Sequence, residues 1–194
     1  MSISNAQNIL MERDDYEESG TISDFIHLME TVIDELKEAI SFRGQKIFIG
    51  DLPHNIANKF IILNREKMAT EIRELLINAM KYSARNKKIY IMYFLKENFF
   101  EIKILNPANK NNDGSVGISG DRERLIFEPF YRMASYLDER FFQVEEFSYG
   151  LGLTVVKKII DLHKSNIFVY TVRNLSIPER ENDVCVTLRL PIIQ

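Results

Sequence analysis

Four polar side chains within residues 71–83 are spaced so that they can act together. Glu74 and Asn78 are four residues apart, and Lys81 and Tyr82 lie three and four residues beyond Asn78, so all four can share one face of a helix. The opposite face is apolar and predicts packing on a core; it consists of Ile72, Leu75, Leu76, Ala79 and Met80. A carboxylate, an amide oxygen, a cation and a phenol in one stripe can hold Mg²⁺ and phosphate. The alternative is a solvated surface, and three further segments decide between the two.

These segments follow the helix in a fixed order. A glycine-bearing turn at 113–118 precedes an aromatic-rich block at 126–132, and a Gly-Leu-Gly-Leu run at 150–153 opens an apolar helical stretch. Together with the Asn78 helix they resemble the N, G1, F and G2 boxes of the Bergerat-type (GHKL) ATPases, in the version found in sensor histidine kinases. The resemblance covers roughly residues 22–192, nearly the whole chain.

The resemblance implies both a fold and a chemistry. The fold is α/β: a two-layer sandwich in which helices cover one face of a mixed sheet, with a mobile ATP lid. The asparagine of the N box binds Mg²⁺ in the family, and Asn78 occupies that position. Glu74 would be the catalytic carboxylate that polarises the attacking group or a water. Lys81 would contact phosphate oxygens, and Tyr82 would pack or hydrogen-bond beside it.

The glycine-bearing run at 150–153 is expected to bind the phosphates of ATP. Glycines let the backbone approach a phosphate closely, and free N–H groups at a helix N-terminus attract anions. The expected ATP contacts in this run are Gly150, Leu151, Gly152 and Leu153. The family usually has a third glycine two residues upstream, where this chain has Ser148.

The G1 region is the main departure from the family pattern. In the family an aspartate directly after a strand binds the adenine amino group, whereas here the strand at 101–105 runs into Asn106, and Gly117 and Ile118 come much later. Either Asn106 replaces that aspartate, with an insertion before Gly117, or Asp113 is the aspartate. The position that abuts the strand favours Asn106, because its amide oxygen can accept a hydrogen bond from the adenine amino group.

Residues between Arg132 and Ser148 stand where the family has its ATP lid. Arg132 or Arg140 could reach the γ-phosphate when the lid closes, although Arg140 fits a solvated surface helix better. The aromatic residues of the preceding block are expected to pack rather than to stack on a nucleotide; they are Phe127, Phe130 and Tyr131.

Composition narrows the class of protein. A chain of 194 residues that is 45% hydrophobic fits one globular domain with a short tail. The net charge of −3 gives no reason to expect nucleic acid, and no apolar stretch approaches the roughly 20 residues that span a bilayer, so we expect no membrane contact by this chain. The single cysteine, Cys185, excludes an internal disulfide and indicates the cytoplasm, although the parent protein could be membrane-anchored.

Periodicity predicts the elements that would position these residues. Helices are predicted over 22–40, from near Arg65 through the Asn78 segment, and over 154–162. Strands are predicted over 45–49, 60–63, 88–95, 99–105, 167–172 and 184–190. Residues 1–20 resemble the end of a dimerisation helix and its linker, which leaves 21–194 as the ATP-binding domain. His163, after the last helix, is expected as a cation that suits the helix dipole.

These observations predict the Mg·ATP-binding catalytic domain of a two-component sensor histidine kinase. It would pass the γ-phosphate to a histidine on a dimerisation and phosphoacceptor domain, which then supplies an aspartate on the receiver domain of a response regulator. No acceptor motif surrounds His27, so we expect the chain to be a fragment that begins inside the last dimerisation helix. The alternatives are a free-standing serine or histidine kinase of the same superfamily, such as the anti-sigma factor kinases, and a degenerate domain that serves as an interaction module.

Overall fold

In a computed structural model the chain is described over residues 2–11, 18–111, 114–118, 120–131, 147, 150–173 and 182–193. The helices are α1 (Ser2–Met11), α2 (Ile22–Glu35), α3 (Lys37–Phe42), α4 (Arg65–Lys81), α5 (Arg122–Leu125) and α6 (Gly152–Leu162). The strands are β1 (Ser19–Thr21), β2 (Lys46–Ile49), β3 (Phe60–Ile62), β4 (Lys88–Lys96), β5 (Phe99–Pro107), β6 (Asn166–Arg173) and β7 (Asn182–Ile193).

The strands of the described residues form one mixed sheet in the order β1-β3-β7-β5-β4-β2, and β6 pairs with the first part of β7. Every pair is antiparallel except β2 and β4, which run parallel. Strand β5 lies at the centre between β4 and β7. Its last residues, Asn106 and Pro107, stand opposite Val184 and Asp183.

Helices α2, α4 and α6 form the second layer. Their apolar faces bury large side chains against one face of the sheet, among them Phe25, Met29, Ile72, Leu76 and Ile160. Alternate residues of β4 show the two faces of the sheet, because Ile91 and Tyr93 are buried while Met92 and Phe94 are exposed. The predicted two-layer α/β sandwich with helices on one face is confirmed.

The predicted helix over 22–40 is two helices. α2 ends at Glu35 and α3 begins at Lys37, with Leu36 between them at φ −89° and ψ 0°. The Leu36 N–H bonds both the Val32 and the Ile33 carbonyl, which is the three-centre bond of a tightening last turn. Leu36 is itself buried, so its apolar side chain continues the helical period across the break.

Helix α1 packs against helix α6. In α1, Ala6 and Ile9 are buried in a small apolar cluster whose other members are Phe147, Leu151, Val155 and Ile159. The sheet begins at Ser19, two residues before the predicted domain boundary. That α1 is the end of a dimerisation helix stays a prediction. Among the described helices, none is long and apolar enough to cross a bilayer.

Candidate functional site

Helix α4 presents the predicted polar stripe along one edge of a cavity. The helix starts at an Asn64 cap, whose Oδ1 accepts a hydrogen bond from the Lys67 N–H at 3.0 Å. It ends at Tyr82, whose N–H donates to the Asn78 carbonyl at 3.0 Å. The start near Arg65 and the amphipathic pattern are therefore confirmed, and the stripe Glu74–Asn78–Lys81–Tyr82 runs beside two adjoining cavities.

The first cavity, here the apolar pocket, lies between α4, the loop after β5, and strands β6 and β7. Its aliphatic wall comes from Leu75, Ala79, Ile118, Val169, Val184 and Val186. Asn106 also lines it and is only 2% exposed, at the end of central strand β5. An apolar pocket lined by a buried amide suits a flat heteroaromatic ring that carries a hydrogen-bond donor.

The second cavity, here the polar recess, adjoins the first along α4. The residues that line it and not the first cavity are Glu74, Lys81, Phe147, Gly150 and Gly152. Asn78, Tyr82 and Leu153 line both cavities, together with Ile126 and Tyr131. The structure therefore brings together residues that lie more than seventy positions apart in the sequence, and it joins an apolar compartment to a charged one.

Glu74 and Gly152 are in direct contact across the recess. Glu74 is 3% exposed, and a Cβ atom placed on Gly152 would lie 2.3 Å from the Glu74 Oε2 atom. A side chain at position 152 would displace the Glu74 carboxylate from its place in the recess, so the glycine that opens α6 allows this close approach to α4.

The turn before Ile118 is fixed by a threonine of β6. Gly117 has a φ of +69°, and a Cβ there would lie 2.4 Å from the Thr171 Oγ1 atom. That hydroxyl accepts a hydrogen bond from the Ile118 N–H at 2.7 Å and donates to the Ile118 carbonyl at 2.6 Å. Gly117 and Ile118 thus form a wall of the apolar pocket through a clamp from Thr171.

Some predicted site residues lie away from the two cavities, and others lie outside the described residues. Leu151 is buried in the cluster with α1, so its side chain faces away from the recess. Phe130 was expected to pack but is 72% exposed, at a φ of +63°. Phe127 and Tyr131 pack against the core as expected, and Tyr131 also lines both cavities. Four predicted positions lie outside the described residues: Asp113, Arg132, Arg140 and Ser148.

Sequence reasoning missed two asparagines and a threonine. Asn109 and Asn111 line the apolar pocket, and Thr171 holds its wall. The signal for the asparagines is their repetition after β5, where residues 106, 109, 111 and 112 are all Asn. The role of Thr171 could not be recognised from the sequence, because threonine is common in β-strands.

His163 is neutral rather than the expected cation. Its ring is fully buried, with Nδ1 2.8 Å from the Ile159 carbonyl and Nε2 3.1 Å from the Asn64 N–H. Nδ1 donates and Nε2 accepts, so the ring carries one proton. Burial lowers the pKa of His163 below its ordinary value of 6.5, and this loss of hydration outweighs the Ile159 carbonyl and the Glu18 charge, which both raise the pKa.

Glu71, one turn before Glu74 on α4, is a second buried carboxyl. It is fully buried, and neither of its oxygens has a hydrogen-bond partner among the described residues. Burial raises its pKa well above the ordinary value of 4.5, because a charge there would lose its hydration without compensation.

Comparison with known proteins gives a family match over most of the chain. The family of histidine kinase-, DNA gyrase B-, and HSP90-like ATPases matches residues 64–194. The adaptive-response sensory kinase SasA of Rippkaea orientalis is 25% identical over 170 residues, which are 85% of this chain and 36% of SasA. The chain thus spans about a third of that relative's length.

Two solved histidine kinase structures share the fold. Full-length ShkA in complex with AMPPNP has a TM-score of 0.67 at 12% identity, over 97% of this chain and 34% of ShkA. ThkA in complex with the response regulator protein TrrA has a TM-score of 0.62 at 18% identity, over 90% of this chain and 41% of ThkA. At these identities the likeness concerns the fold alone. With the match over residues 64–194, the chain belongs to the family of histidine kinase-, DNA gyrase B- and HSP90-like ATPases.

Proposed function

We propose that the chain is the catalytic domain of a two-component sensor histidine kinase, which binds Mg·ATP and transfers the γ-phosphate to a histidine on a dimerisation domain. The observation that carries this proposal is the pair of adjoining cavities that share Asn78 and Tyr82. An apolar slot beside a polar recess matches a nucleotide, whose base is flat and apolar and whose phosphates are charged.

Each compartment has a part in holding the nucleotide. The base would enter the apolar pocket, where the Asn106 amide oxygen accepts a hydrogen bond from the adenine amino group. The phosphates would occupy the recess, near the Lys81 ammonium and the backbone at Gly150 and Gly152, which opens α6. Arg132, from the lid position, would approach the γ-phosphate on closure.

The donor set fits a magnesium ion that arrives with the nucleotide. No cluster of three or more His, Cys, Asp or Glu side chains in the described part of the chain could hold a metal alone. Mg²⁺ keeps several waters and needs few protein ligands, so the Asn78 oxygen together with phosphate oxygens is sufficient. When bound, the ion neutralises charge on the phosphates, and the nearly buried Glu74 carboxylate orients and polarises the attacking group.

The partners follow from the reaction. The acceptor histidine would lie on a dimerisation domain of the parent kinase, with α1 as the end of its last helix. The receiver domain of a response regulator would then take the phosphoryl group, as the ThkA complex with TrrA suggests by analogy of fold. We assign the domain to the cytoplasm, where ATP and response regulators are available, whether or not the parent protein is anchored in a membrane.

Calorimetric titration with ADP and a non-hydrolysable ATP analogue, with and without Mg²⁺, tests the proposal. We expect a micromolar dissociation constant, about −8 kcal/mol at 1 μM, that depends on Mg²⁺ and is weakened in Asn78→Asp. Asn58→Ala, at an exposed residue that lines neither cavity, is the control. Absence of binding at millimolar nucleotide would contradict the proposal and favour an interaction module. Transfer of the phosphoryl group to a supplied dimerisation domain, rather than to a serine protein, then identifies the acceptor.

A further inference from the structure

The loop between β5 and α5 is built around its asparagines. The Gly117 N–H donates to the Asn109 carbonyl at 3.0 Å, and the Asn111 N–H donates to the Ser115 carbonyl at 2.7 Å. The Asn111 side-chain NH₂ group bonds both the Ser115 hydroxyl at 3.0 Å and the Gly117 carbonyl at 2.8 Å. These bonds join residues 109–111 to residues 115–117 within the described part of the loop, beside the apolar pocket.

Asn109 connects this loop to the end of α4. Its side-chain NH₂ group donates to the backbone carbonyl of Tyr82, the residue that ends the helix. A carbonyl at a helix C-terminus has no partner within the helix and must find one elsewhere. Asn109 supplies that partner from a segment 27 residues further along the chain.

Tyr82 is one of the residues whose position affects both cavities. It lines the apolar pocket and the polar recess, its N–H bonds the Asn78 carbonyl, and the Lys81 ammonium lies 5.7 Å from the centre of its ring. A shift of Tyr82 would therefore move the walls of both compartments. The contact with Asn109 is the side-chain hydrogen bond that ties this residue to the opposite wall.

We propose that Asn109 is a positioning residue for nucleotide binding, acting by fastening the loop after β5 to the C-terminal end of α4. The inference rests on the proposed function, since it assumes that the two cavities hold one nucleotide. The loop is where this chain departs from the usual G1 spacing. The Asn109–Tyr82 contact assigns a role to it, which is to hold the pocket wall against the end of α4. It holds the pocket at the width that the base requires, so that the ligand does not have to order the loop on entry.

Two substitutions distinguish the contribution of the Asn109 NH₂ donor from that of the side chain's shape. Asn109→Ala removes the amide, and Asn109→Asp keeps its shape but puts an acceptor against the Tyr82 carbonyl. Adenosine is the decisive probe, because it is uncharged and the added carboxylate cannot repel it through phosphate charge. For both variants we expect the adenosine Kd to rise about fivefold, the effect of one hydrogen bond of about 1 kcal/mol. The Kd of the Mg²⁺-bound non-hydrolysable ATP analogue should rise by at least the same factor.

All titrations are made well below the unfolding temperature, so that every chain is folded. A merely structural contact would lower the unfolding temperature and leave Kd unchanged, whereas a positioning contact raises Kd. The proposal is overturned if Asn109→Ala binds adenosine within twofold of the parent chain, or if Asn109→Asp does so while Asn109→Ala is weakened. Asn58→Ala should match the parent in all measurements. Failure of the parent chain to bind the ATP analogue would instead refute the proposed function.

Discussion

Gly117 and Gly114 form a matched pair that tests how the wall of the apolar pocket is held. Both have positive φ angles, +69° and +85°, in one loop. Alanine costs about 1–2 kcal/mol in this region of backbone space, and the cost should be similar at both positions. The surroundings differ: a Cβ at Gly117 would meet the Thr171 Oγ1 atom at 2.4 Å, whereas no described atom lies within 4 Å of one at Gly114.

The extra cost at Gly117 follows from what Thr171 does. Its hydroxyl makes two hydrogen bonds to the Ile118 backbone, at 2.7 and 2.6 Å, and the new methyl group would push it away. Losing two bonds of about 0.5–1.5 kcal/mol each adds about 1–3 kcal/mol for Gly117→Ala over Gly114→Ala. Because Ile118 lines the apolar pocket, a loss of the same size in nucleotide binding would raise Kd about 5- to 150-fold.

Denaturant unfolding and calorimetric titration of the ATP analogue measure the two effects. Gly114→Ala should lose a little stability and leave Kd within about twofold, since the backbone strain is present in both free and bound states. In a Thr171→Ala background the cost of Gly117→Ala should fall towards that of Gly114→Ala, because the clashing Thr171 atoms are gone and only the Ala108 Cβ, at 3.2 Å, remains close. Two results would refute the claim that the Thr171 hydroxyl holds the pocket wall. One is an equal loss of unfolding free energy for the two glycine variants, and the other is a Gly117→Ala cost that Thr171→Ala leaves unchanged.

Three further predictions concern helix α4 and the residues that hold its two ends. The buried Glu71 carboxyl has a raised pKa, so stability should fall by about 1.4 kcal/mol per pH unit from pH 4.5 up to the folded-state pKa. Glu71→Gln should remove that slope and be the more stable chain at pH 7, as measured by denaturant unfolding; an unchanged slope would contradict this. The pKa of His163 is lowered, so stability should be complete above pH 6.5 and fall below it, with His163→Gln free of that loss. The two slopes oppose each other between pH 4.5 and 6.5, so each is measured as variant minus parent; identical curves for His163→Gln and the parent would exclude the neutral ring as the cause. Gln45 donates to the carbonyls of Met80, Ser83 and Ala84, so Gln45→Glu should cost about 2 kcal/mol or more in unfolding free energy, whereas Gln45→Met should cost less.

Local patterns in the sequence predicted the elements well. The stripe of polar residues in α4 and the strand pattern of β4 are properties of neighbouring residues, and the structure shows both. Strand β7 does not alternate, because its residues from Asp183 to Leu188 are all buried. The break at Leu36 escaped prediction because its buried side chain continues the apolar period on both sides, so nothing in the pattern marks the change of direction.

Predictions that depended on distant partners were less complete. The charge of His163 could not be read from the helix it ends, because the Asn64 N–H that fixes its protonation comes from a residue 99 positions away. The roles of Asn109 and Thr171 likewise depend on Tyr82 and Ile118, which meet them only in the folded chain. Tyr131 packs against the core as predicted, but its place in the walls of both cavities depends on partners that only the folded chain brings near it.

The supports of α4 explain why one helix can carry so much of the site. At its start, the Asn64 N–H is held by the buried His163 ring. At its end, Arg43 donates to the Ser83 carbonyl at 2.6 Å, and Gln45 bonds the Met80 carbonyl at 3.0 Å. These partners satisfy carbonyls that a helix cannot satisfy by itself, so the last turn, which carries the binding side chains, is held against fraying. Substitutions in the binding stripe should therefore change affinity without unfolding the chain, whereas substitutions in the supports should change both.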